Sequence, residues 1–215
     1  MNAMATSKRW KDLRREIATL RRHFLPDPFE PLGVYAKSNR VQSHTRAFLV
    51  LSHAEIESYL EEWAREIARA CEAVWTSSGK VTKPLAFLLA TLSERIEVPI
   101  TLVGPRGQDS PQRLVNASVR LFQKFYKQIK DNNGIRERNV LGLFAPLGVP
   151  ATALGSTLLP NLDNLGALRG THAHQSAKAV QTVLDPETEY KRVISLIGEL
   201  VVLDEWLVKY RHRIR

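Results

Sequence analysis

The densest chemistry in the chain lies in six consecutive residues, Arg169-Gly170-Thr171-His172-Ala173-His174. Histidine titrates near neutral pH, so it can take a proton from a hydroxyl and give one to a leaving oxygen. Arginine stays charged and presents paired N–H groups to phosphate oxygens, which suits charge that builds up at phosphorus. Together these types describe RNA cleavage. An imidazole works on the ribose 2′-OH and the 5′-oxygen, a guanidinium holds the phosphate, and no metal is required. On an ideal helix Arg169 and His174 stand about 140° apart, while Arg169 and His172 lie closer to one face. The wider pair converges if the motif straddles a helix start, if the arginine reaches around, or across a dimer interface.

Other catalytic signatures are missing. The chain has no Walker-type loop, no GxGxxG, no HExxH and no GxSxG. His172 and His174 have no carboxylate close by in sequence, so neither a metal nor a cofactor is expected. The single cysteine, Cys71, excludes an intramolecular disulfide and a Cys-based zinc site, and its apolar helical setting places it in the core. Glu61 and Glu62 read as a solvated helix face. His53 reads as a surface or interhelical hydrogen-bonding residue.

The elements that must position the motif read as helices. Trp10, Leu13, Ile17, Leu20 and Phe24 recur at helical spacing over 6–24, ahead of a Pro-rich break. A long helix follows over about 40–76, with a buried stripe of Phe48, Leu51, Ile56, Tyr59, Leu60, Trp63, Ile67, Cys71 and Val74, ended by Gly79. Thr82-Lys83-Pro84 opens a third helix to about Glu94. Residues 98–109 form the clearest non-helical connection, and a fourth helix runs over about 111–131 to Asn132-Asn133-Gly134. Glycines and prolines break 134–160 into turns and short helices, and the motif helix begins near Asn161 and reaches about Val183. Asp185-Pro186-Glu187 starts the last helix, to about residue 211. The expectation is an all-α antiparallel bundle of five to six helices. Residues 1–39 form a basic helix and its connection, and 40–215 form the bundle.

With 44% hydrophobic and 25% charged residues, a real core can form. Net charge is +9, and the excess sits at the two ends. Residues 1–24 carry +5, residues 209–215 carry +4, and the remainder balances. Localised cationic surface favours phosphate-rich partners, and the plainer alternative is a pair of solvated, partly frayed ends. No signal peptide or membrane span is visible, so a cytoplasmic protein with no membrane partner is expected.

Arg169, Ala173 and His174 match R-N-x-x-A-H, the common form of the R-x4–6-H signature of the HEPN superfamily (higher eukaryotes and prokaryotes nucleotide-binding domain). The segment from Phe48 to Leu60, Phe-Leu-Val-Leu-Ser-His-Ala-Glu-Ile-Glu-Ser-Tyr-Leu, resembles the long early helix of its RiboL-PSP-like branch. The likeness covers residues 40–210, with the motif near the start of the penultimate helix. It implies a metal-independent endoribonuclease of toxin–antitoxin, phage-defence or RNA-processing systems. Such proteins dimerise so that two motifs face one cleft, and 2′-OH attack leaves a cyclic phosphate. By position the likeness makes His174 the acid–base residue and Arg169 the phosphate anchor. His172 and Glu57 join them as further catalytic candidates, with Gly170 and Thr171 against the substrate. One position departs from the pattern: Gly170 stands where the family has Asn or another polar residue. Thr171 or His172 would then supply the missing hydrogen bonding. The expected partners are RNA, a second copy of the chain with the motif at the interface, and an antitoxin or defence protein. Two other readings compete: a non-catalytic module of the same fold that binds nucleic acid or a protein, and, ranked last, a helix-turn-helix DNA binder.

Overall fold

Apolar residues of the long second helix cover most of its circumference, and a helix of that kind belongs at the centre of a bundle. The computed structural model describes residues 6–30, 34–92, 110–174 and 183–215, with side chains at all of these except 36, 37, 110–114 and 171–174. Seven α-helices occur among the described residues, and no strand. They are α1 (Lys8–Phe24), α2 (Asn39–Ser78), α3 (Lys83–Leu92), α4 (Ser110–Lys130), α5 (Glu137–Phe144), α6 (Leu158–His174) and α7 (Pro186–His212). The fold class expected from the sequence is the one observed. The connection read at 98–109, and the continuation of the motif helix to Val183, fall at least in part outside the described residues.

At 40 residues α2 is about 60 Å long, and every other helix packs against it. Its fully buried Phe48, Leu49, Ile56, Leu60 and Ile67 meet Ile17 of α1, Phe122 and Phe125 of α4, Phe144 of α5, Leu165 of α6 and Leu200 of α7 in one core. Leu51, expected in the buried stripe, is instead 38% exposed. It shares the solvent-facing row of Ala54, Ser58 and Glu62, three or four residues apart. Cys71 is buried as expected, 3.0 Å from the Thr82 hydroxyl, and burial pushes its thiol pKa up.

Helix ends follow local chemistry. Gly79 ends α2 at φ +68°, a conformation that favours glycine. Asp185 accepts from the Thr188 N–H at 2.9 Å, with Pro186 in the first turn of α7. The region of glycines and prolines holds the short α5 and two 3-10 turns, 145–147 and 151–153.

Asp204 of α7 is fully buried and accepts four hydrogen bonds. Ser7 gives two, N–H to Oδ2 at 2.7 Å and hydroxyl to Oδ1 at 2.6 Å. The Tyr59 hydroxyl and Trp63 Nε1–H of α2 each donate to Oδ1 at 2.9 Å. Ser7 also caps α1, accepting from the Trp10 N–H at 3.0 Å. One carboxylate therefore fixes the start of α1 against α2 and α7. A buried anion with its lone pairs satisfied stabilises; the same donors without it are stranded. Asp204→Ala is expected to lower the unfolding free energy by about 3 kcal/mol or more. A urea-melt loss below about 1 kcal/mol would show that the stranded donors find other partners.

Candidate functional site

Eleven residues of α6 precede Arg169, about three turns of helix, so the motif does not straddle a helix start. Pro160 contributes to this: it sits in the first turn, where its missing N–H costs no bond. The backbone stays helical through His174, which keeps Arg169 and His174 about 140° apart around one axis. The side chains of Thr171, His172 and His174 lie outside the described residues.

Arg169 is half-buried, and it stands where α6 faces the middle of α2. Its guanidinium makes no hydrogen bond or ion pair among the described residues, but its charge is felt by two α2 side chains, His53 and Glu57. The His53 side chain is 3% exposed. Burial, and then the nearby Arg169 charge, hold its pKa at about 4. Its Nδ1 lies 3.6 Å from Glu57 Oε2, too long for a hydrogen bond, and with a neutral ring the contact is polar rather than ionic. Burial and repulsion from Glu61 raise the Glu57 pKa, while Arg169 opposes the rise. Glu57 thus stands at the motif, on the helix the sequence placed it on.

The cluster continues into residues the sequence did not single out. Asn132, just past α4, donates from Nδ2 to Glu61 Oε1 at 2.9 Å and to the Gly134 carbonyl at 3.0 Å, and approaches Glu57 Oε1 at 3.5 Å. Its Oδ1 accepts from Asn139 Nδ2 of α5 at 3.1 Å. Asn132-Asn133-Gly134 reads locally as a helix stop; nothing local reveals that its first side chain reaches α2, some 70 residues away. The Glu61–Glu62 pair, expected to be solvated together, divides. Glu61 turns to Asn132 with its side chain 19% exposed, whereas Glu62 is 54% exposed and lies 3.7 Å from Arg9. On the other side of Asn132 and Asn139 opens a groove of about 520 Å³, lined by Lys124, Lys127, Gln128 and Arg138 among others. Gly170 is half-buried, with the Arg136 guanidinium beside it.

The basic ends go elsewhere. Arg9 of α1 and Arg211 of α7 both pair with Glu66 of α2, at 3.2 and 2.9 Å. Glu66 is nine positions beyond Glu57, about half a turn round the helix from it. Arg9 and Arg211, one residue from each basic end, therefore meet on the flank of α2 opposite Arg169. Among the described residues no group of three or more His, Cys, Asp or Glu is placed to hold a metal. Also among the described residues, no helix is long and apolar enough to cross a membrane. No family model, curated protein or solved structure matches the chain.

His53 stays neutral in the fold down to about pH 4, whereas in the unfolded chain it takes up its proton near pH 6.5. Because the folded value is the lower one, its stabilising contribution is whole above pH 6.5 and is lost as the pH falls toward 4. Urea midpoints should fall across that window, and His53→Gln should flatten the fall. In a second measurement, Arg169→Gln should raise the His53 pKa followed by NMR. An unchanged value would show that the two side chains are not coupled.

Proposed function

We propose that the chain is a metal-independent endoribonuclease of the HEPN type, working as a homodimer in a toxin or phage-defence system. The carrying observation is the Arg169 guanidinium. It lies half-buried between α6 and α2, with no carboxylate bound to it among the described residues, on the helix that also bears His174. A cation so placed is available to an incoming anion, and Glu57 and the neutral His53 give its surroundings a polar, hydrogen-bonding character.

In this reading His174 takes the proton from the ribose 2′-OH as O2′ attacks phosphorus. The P–O5′ bond breaks, and the 5′-oxygen leaves with a proton supplied by the second copy's motif. Arg169 holds the non-bridging oxygens while charge accumulates on them. The products are a 2′,3′-cyclic phosphate and a 5′-hydroxyl. Two copies of α6 facing each other relieve the offset of about 140° along one helix, because the arginine of one can then meet the histidine of the other. An antitoxin or defence protein would be the natural controller of such an activity.

Gly170 favours a second reading, a non-catalytic module that binds RNA or a protein, since the side chain usual after the arginine is missing. Purified protein is expected to cut single-stranded RNA in EDTA and to leave 2′-O-methyl RNA whole. His174→Ala and Arg169→Ala should each slow cleavage by about 100-fold or more without unfolding the chain. Undiminished cutting by a contaminant-free His174→Ala preparation would end the assignment. A folded dimer that cuts no RNA but binds it in a salt-sensitive way would give the second reading preference.

A further inference from the structure

Gly166 and Gly170 stand one turn apart on α6, and Arg169 shares their flank at the i+3 position. Arg136, from the connection between α4 and α5, lies along that flank. A Cβ built on Gly166 would come 3.0 Å from Arg136 Cγ and 3.6 Å from its Nε. One built on Gly170 would stand 4.0 Å from its Nη2. The side chain thus runs over Gly166 and ends at Gly170, inside the six-residue motif. Both glycines are helical, and neither needs a left-handed backbone. Glycine weakens a helix interior, and at Gly166 the return is room for the Arg136 stem.

The Arg136 stem packs over Gly166, but its guanidinium has no polar partner among the described residues. Arg136 is the N-cap residue of α5, yet its side chain makes no capping bond. Asp163 of α6 does that work, accepting from the Glu137 N–H at 2.7 Å. Among the described residues no carboxylate or carbonyl receives the Arg136 guanidinium. A second cation therefore stands exposed beside the first, on one face of α6, with Glu57 already shared between Arg169 and its α2 neighbours.

We propose that Arg136 is a second phosphate-contacting cation of this site, laid along α6 over Gly166 with its guanidinium beside Gly170. The guanidinium stands beside the position where the HEPN pattern puts Asn, and it offers a paired N–H fork to a phosphodiester of the RNA strand. Arg136 and Arg169 would then hold the strand from two different elements. The assignment rests on reading the motif as an RNA site.

The test uses full-length protein and a 2′-O-methyl RNA oligomer, which cannot undergo 2′-OH attack, alongside cleavage of the matching RNA in EDTA. Arg136→Gln should weaken oligomer binding about tenfold, and should make the salt slope shallower by about 0.7, one single-strand phosphate contact. Arg136→Ser restores a capping hydroxyl, so its melting temperature should hold or rise while binding falls as far. Gly166→Ala sets a methyl against the Arg136 Cγ, so it should displace that side chain and weaken binding. Arg136→Lys should recover part of the affinity. Unchanged affinity and salt slope in Arg136→Gln overturns the proposal; if that variant also cuts RNA normally, the nuclease reading survives without it. Binding that depends on Arg136 in a wild-type protein that cuts nothing sustains the proposal and removes the nuclease. No binding by the wild type removes both.

Discussion

The Asp204 carboxylate is the point on which the bundle closes. It lies in a fully buried position of α7, and four donors from Ser7, Tyr59 and Trp63 occupy its oxygens. A buried ion is costly to desolvate, so its value lies less in net stability than in demanding one arrangement of its partners. That demand is met only when α1, α2 and α7 are all in register. Its companion is Gln42, whose side-chain amide bonds both the N–H and the C=O of Leu184 at 2.8 Å. The first bond set fixes the start of α1, and the second fixes the approach to α7.

With those ends fixed, α2 can serve as the wall of a site. Its His53–Glu57–Glu61 face is met by Arg169 from one helix and by Asn132 from a connection, with Asn139 donating to Asn132 from behind. The face half a turn away is given to Arg9 and Arg211 through Glu66. The chain thus separates its two kinds of positive charge. Arg9 and Arg211, one from each basic end, are paired and structural. The other kind is unpaired among the described residues and stands at the motif. The sequence, in which charge density peaks at the ends, suggests the reverse emphasis.

What was legible follows from the range of each interaction. α1, α2 and α7, with their Gly79 and Asp185 ends, are written in local periodicity and capping residues, so a reading of neighbours three and four apart finds them. Leu51 was misplaced because periodicity identifies an apolar row but not whether a helix lies against it. Glu57 is set beside Arg169 in the sequence only by what the family resemblance implies, since residue types more than 100 positions apart carry no mutual signal. Asn132, Asn139 and Arg136 were missed for the same reason. Each reads as turn or helix-start chemistry until the fold brings α5 alongside α6. Asp204 was equally opaque: a carboxylate in a helical run looks solvated until its donors arrive from 197 residues away.

The turn that follows α5 is gripped from two sides. Gly148, at φ +73°, lies so close under the Phe87 ring that a Cβ there would come within 2.7 Å of it, and Tyr210 donates to the Leu147 carbonyl at 2.6 Å. Mechanically, α5 is a short rod with one end clamped between α3 and α7. Its opposite end holds the side-chain bonds of Asn139 and Asp163 next to the fully buried Ile135. Any force applied by a ligand at that second end would be borne by amide and carboxylate contacts rather than by packed rings. How far the Arg136 guanidinium at that end can follow a moving strand then depends on those contacts and on the packing of Ile135.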